Sequence, residues 1–69
     1  MLTGNILWYS ERDKNGIIRT SDGKEWYFDI SVVNGRKMPS FPEYKQALVS
    51  FTHNTAIKDC RCAKDVKLV

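Results

Sequence analysis

The residues able to do chemistry in this chain gather between Gly16 and Ile30, which reads Gly-Ile-Ile-Arg-Thr-Ser-Asp-Gly-Lys-Glu-Trp-Tyr-Phe-Asp-Ile. Side chains of a strand alternate between two faces. Tyr27 therefore lies between the carboxylates of Glu25 and Asp29 on one face, and the preceding run adds Ile17 and Arg19 to that face. A lone strand carboxylate does acid–base work only beside a second acid, base or nucleophile. Spacing places none there, and no catalysis is expected. A metal site would have to draw on His53, Cys60 and Cys62. The Cys-x-Cys spacing lacks the two-residue gap and second pair of common zinc sites, so no metal or other cofactor is expected. There is no Gly-rich phosphate loop of the required spacing and no Ser/His/Asp signature. What is left is a face that touches a partner.

The element that positions this face is a hairpin. Asp22-Gly23 between two β-rich runs is a strong short-range hairpin signal. The expected strands are Ile17–Thr20 and Lys24–Ile30. Their other face carries Ile18, Trp26 and Phe28 and is expected to form core. Before the hairpin, Gly4 to Tyr9 is apolar on both alternating sets, Ile6 with Trp8 and Leu7 with Tyr9, so the pattern leaves open whether Trp8 is core or exposed. Ser10 to Asn15 is a polar loop, with a tight turn expected at Asn15-Gly16. Ser31-Val32-Val33 either begins a helical turn or continues the strand. Asn34 to Pro42 is a long basic loop with apolar tips at Met38 and Phe41, and its two prolines exclude a central strand. Ala47, Val49 and Phe51 face one way in a fourth strand, and Cys60 to Val66 is expected to form a fifth. Five short strands in a chain of 69 residues are too few for a sandwich and suit a small antiparallel barrel, which removes most sheet edges.

At 69 residues, one domain spanning 1–69 is expected, with a core in which every large apolar side chain counts. Hydrophobic content of 42% excludes a disordered chain. No apolar run is long enough to span a membrane. Met1-Leu2-Thr3-Gly4 shows no basic stretch leading into an apolar one, so no signal peptide is expected. On a regular strand Cys60 and Cys62 would lie about 7 Å apart, too far for an unstrained disulfide. Reduced thiols and a cytoplasmic setting are therefore expected. The net charge of +3 permits a polyanionic partner without arguing for one.

From Gly4 to Val33 the sequence resembles the cold-shock domain family, without a gap. That family opens on a pattern like G-x-V-x-W-F-N-x-x-K-G-F-G-F-I, followed by an acidic-glycine turn and D-V-F-V-H-x-S-x-I. Gly4, Ile6, Trp8 and Tyr9 fall on the opening positions. Gly16 and Ile18 fall on the second glycine and the isoleucine of the first ribonucleoprotein motif. Trp26-Tyr27-Phe28-Asp29 falls on V-F-V-H, with Ser31 and Val33 following in place. Farther on, Val49-Ser50-Phe51-Thr52 is similar to the family's V-x-F strand, and Ala63-Lys64-Asp65-Val66 to its closing A-x-N-V strand. The resemblance implies a five-stranded oligonucleotide-binding (OB-fold) barrel that binds single-stranded RNA or DNA by stacking bases on rings.

The resemblance places Trp8, Tyr9 and Tyr27 on that platform. It also shows what is missing. Asn15 and Ile17 stand where the family has two phenylalanines, Asp29 where it has a histidine, and the loop lysine is displaced by one place to Lys14. Each stacked ring contributes about 1–3 kcal/mol, so binding is expected to be weak or altered in preference. Lys14 and Arg19, with Arg12, are candidates for phosphate contact or base stacking, and Phe41 for an apolar contact from the long loop. The implied interface is thus Trp8, Tyr9, Lys14, Asn15, Ile17, Arg19, Tyr27, Asp29 and Phe41. The alternative is a protein-interaction or homodimerisation module on the same fold, using Leu7, Tyr9, Ile17, Tyr27 and Ile30 as an apolar patch.

Overall fold

The β-rich runs form five strands: β1 (Leu2–Ser10), β2 (Asn15–Arg19), β3 (Glu25–Asp29), β4 (Leu48–His53) and β5 (Ala63–Leu68). They belong to a computed structural model that describes residues 1–40, 42–56 and 61–69. All neighbours pair antiparallel, in the spatial order β3-β2-β1-β4-β5. The sheet curls strongly into a half-barrel, consistent with the small OB-like barrel expected. Curling brings β3 to the segment entering β5. There the Tyr27 N–H donates to the Arg61 carbonyl at 2.7 Å, and Arg61 Nε donates to the Glu25 carbonyl at 3.1 Å. Parallel bridges Tyr27–Cys62 and Val33–Val66 continue the closure.

The hairpin turn forms where Asp22-Gly23 placed it. Gly23 takes the left-handed φ of 83° that a side chain would strain. The Asp22 carboxylate accepts from the Thr20 hydroxyl and from the Lys24 N–H, and these bonds hold its pKa below the usual value. The turn expected at Asn15-Gly16 lies one residue earlier instead: Lys14 takes the left-handed φ of 59° and Asn15 already belongs to β2. Gly16 is needed for a different reason. A Cβ there would sit 2.4 Å from the Trp8 carbonyl oxygen and 3.1 Å from the Phe28 ring, so only a glycine lets β1 and β2 approach. After β3, Ile30–Val32 forms a short 3-10 turn and Asn34–Arg36 a second. Asp29 caps the first by accepting from the Ser31 N–H at 2.9 Å and from the Ser31 hydroxyl.

The core lies inside the curl. Ile6, Ile18, Val49, Phe51 and Val66 are fully buried, and Trp26 and Phe28 join them as the alternation required. The Trp26 ring packs on Phe51 at 5.3 Å and meets the edge of His53 at 5.1 Å. The small Ala63 is buried on β5 opposite His53. The fifth strand departs from its expected course. It begins at Ala63, and a bulge with Asp65 at φ 52° shifts its register against β4. Ala63 and Val66 therefore both turn inward, rather than Ala63 and Asp65. Met38, expected as an exposed tip, packs against the core instead.

Candidate nucleic-acid interface

Antiparallel register lines up Trp8 on β1, Ile17 on β2 and Tyr27 on β3 as direct cross-strand neighbours. Adjacent strands are about 4.8 Å apart, so the backbones carrying the two rings stand about 10 Å apart with Ile17 between them. Trp8 is 42% and Tyr27 55% exposed, which is high for rings that would otherwise be core. The next row along the same face is Ser10, Asn15 and Asp29. All of these but Ser10 line an open groove of about 400 Å³, whose far wall is Val32, Asn54 and Cys62.

A bulge in β1 decides which rings reach this groove. Ile6 faces Ile18 and Trp8 faces Ile17, so β1 spends one extra residue, Leu7, against β2. Ile6 points inward while Trp8 points out, although strict alternation would put them on one face. The same shift turns Tyr9 inward. It is 7% exposed, with its ring stacked on Phe28 at 6.0 Å and edge-on to Tyr44 at 5.8 Å. Tyr9 is therefore a core residue and offers no stacking surface, contrary to its expected place on the platform. Burial pushes its phenol above the ordinary 10.0, with the Glu11 and Asp29 carboxylates adding to the rise.

The expected cations are scattered. Lys14 is exposed in the turn before β2, its N–H donating to the Ser10 carbonyl and its carbonyl accepting from Ile30. Arg19 shares the outward face of β2 with Ile17 but lies toward the opposite end from Asn15. It lines a separate groove with Leu7, Gln46 and Leu48. Phe41 lies outside the described residues. The apolar patch of the alternative reading is split: Tyr9 is core, Ile30 packs against the core, and Leu7 belongs to the Arg19 groove. Sequence reasoning missed Val32 and Asn54 as groove residues. Only the closure of β3 on the β5 entry brings them near Tyr27, and no local spacing signals that.

Cys62 is disulfide-bonded, which corrects the expectation of two reduced thiols. Cys60, the other of the chain's two cysteines, lies outside the described residues. The objection to a disulfide assumed that both residues sat on one regular strand, and β5 starts only at Ala63. With Cys62 in a disulfide, the cysteines no longer point to a cytoplasm. Among the described residues, no three His, Cys, Asp or Glu side chains converge as a metal site would require. No helix among them is long and apolar enough to cross a membrane. In comparisons with known proteins, no family model and no curated protein matches the chain.

Proposed function

We propose that this domain binds single-stranded nucleic acid, RNA or DNA, on the outer face of β1, β2 and β3. One observation carries the reading: two half-exposed rings, Trp8 and Tyr27, flank Ile17 in a single row and line one open groove. Bases stack on such rings regardless of sequence because every base has a π face. The cold-shock resemblance of Gly4 to Val33 supports the same reading. Duplex is disfavoured, since its bases are already stacked on one another and offer no free face.

Magnitudes set what kind of binder this is. Two rings contribute about 2–6 kcal/mol together. A millimolar Kd already corresponds to about 4 kcal/mol, so stacking alone gives weak binding. Asp29, on the edge of the groove, repels phosphate and directs the backbone of the ligand away from the row it shares with Asn15. The remaining affinity comes from cations and falls with salt. The protein catalyses nothing in this reading, and a cytoplasmic setting goes with it on the ground of the ligand alone. No observation favours the protein-interaction reading now that its patch is split.

The test is a titration with a pyrimidine-rich single strand at low and at physiological salt, followed by tryptophan fluorescence and amide shifts. Binding at low salt with shifts at Trp8 and Tyr27 is expected. Affinity weaker than millimolar at low salt, with neither residue shifted, would overturn the reading.

A further inference from the structure

A third groove, of about 560 Å³, is lined by Arg36, Lys64 and Lys67, with Asp65 as its one carboxylate. It adjoins the ring groove at Val32, which lines both. Its construction depends on irregular backbone. Lys64 and Lys67 are three residues apart on β5, and a regular strand would point them to opposite faces. The bulge at Asp65 brings both to the same groove. The Val33–Val66 bridge then holds the second 3-10 turn, which ends in Arg36, against the same stretch of β5. None of the three cations has an ion-pair partner among the described residues, where the one ion pair is Lys24 with Asp22 at 3.9 Å. Three cations against one carboxylate leave a local excess of two positive charges in a chain whose net charge is +3. A local excess of positive charge therefore gathers beside Val32, in a groove that neither Lys14 nor Arg19 lines.

We infer that a single strand stacked on Trp8 and Tyr27 runs on over Val32 and lays its next phosphates along Arg36, Lys64 and Lys67. The inference rests on the proposed function, and it answers the question that function leaves. The ring face carries Asp29 and Glu25 and lacks clustered cations, so the salt-dependent part of binding has to come from elsewhere. The groove gives the ligand a direction: bases on β1 to β3, then backbone across the first 3-10 turn toward β5. It is a site for phosphates in a row, not for bases, since it holds no exposed ring among the described residues.

The test compares two oligothymidylates, one of about four nucleotides and one of about ten, within the range of site sizes on OB folds. Each is titrated across salt concentrations into the wild-type protein, the Tyr27→Ala variant, and a variant combining Arg36→Gln, Lys64→Gln and Lys67→Gln. Glutamine keeps most of the side-chain stem and removes only the charge, and thermal unfolding checks that the triple variant is folded. The longer strand is expected to bind wild type more tightly and with a steeper salt dependence than the shorter. Neutralising three phosphate contacts lowers that slope by about 2, at about 0.7 per phosphate on a single strand. The triple variant should therefore bind the longer strand about tenfold or more weakly at low salt and leave the shorter strand within about twofold. Equal losses for both lengths would mean a general effect of net charge and would overturn the inference. So would an unchanged slope for the longer strand. If Tyr27→Ala weakens both lengths while the triple variant changes neither, the proposed function stands and the groove inference falls. If wild type binds neither strand at low salt, both fall together.

Discussion

The two faces of the β2–β3 hairpin are made from alternating residues on one hydrogen-bonded ladder, yet they are built to different standards. The inner face is Ile18, Trp26 and Phe28, closed over by Phe51, Tyr9 and Val49. The outer face is Ile17, Tyr27 and Asp29, open to a groove. Trp26 and Tyr27 are adjacent in the chain, but Trp26 is 8% and Tyr27 55% exposed. Apart from Gly16, where β1 approaches too closely for a side chain, every inner position is filled by a large apolar residue. The outer positions combine a half-exposed ring, an aliphatic residue and a charge that caps the following turn. The inner face is accounted for by folding alone, whereas the outer face is the one left open to the ligand we propose.

Substitutions on the two faces should separate stability from binding. Trp26→Ala removes a buried ring in contact with Phe51 and His53 and is expected to cost about 3–5 kcal/mol in urea unfolding. A loss below about 1 kcal/mol would break the contrast, since that is what an exposed site shows. Gly16→Ala drives a Cβ into the Trp8 carbonyl and the Phe28 ring, and about 1–3 kcal/mol of destabilisation is expected as β1 and β2 separate. Tyr27→Ala should leave unfolding within about 0.5 kcal/mol of wild type. It should nevertheless weaken single-strand binding by about 1–3 kcal/mol, measured by fluorescence titration.

Smaller effects sharpen the same contrast. Asp29→Asn keeps a capping oxygen for Ser31 and removes the charge beside the rings. Binding at low salt should tighten by about two- to fivefold and the gain should fade as salt rises. The smallest effect belongs to Tyr9. Its folded-state pKa is raised above the ordinary 10.0, chiefly by burial. The folded state therefore holds this proton more tightly than the unfolded chain does. Its contribution to stability is fully present below pH 10.0 and is lost as pH rises through the folded value. Urea unfolding across alkaline pH should show that decline, and Tyr9→Phe should flatten it.

How much of this was legible in the sequence varies along the chain. The hairpin was legible because Asp22-Gly23 sits between two runs of unambiguous alternation, and because Trp26 and Phe28 are apolar where Tyr27 is flanked by charge. The outward course of Trp8 was not legible from periodicity. In β1 both alternating sets are apolar, so a one-residue bulge at Leu7 exchanges Trp8 and Tyr9 between faces without leaving a mark in the pattern. The bulge at Asp65 is hidden in the same way, since Lys64, Asp65 and Lys67 are all polar and suit either register. The joining of Val32, Asn54 and Cys62 to the ring groove depends on closure between β3 and β5, which are far apart in the chain. Patterns of short period carry information about strands and turns, but not about which distant segments close a curled sheet.

Amide shifts recorded while a pyrimidine-rich single strand is titrated into the wild-type protein at low salt test the contrast between the two faces most directly. The expected result is saturable shifts at Trp8, Ile17 and Tyr27, with Trp26, Phe28 and Ile18 moving little. Shifts absent from the outer row at millimolar ligand, or confined to residues remote from it, would contradict the assignment of this face to single-stranded nucleic acid.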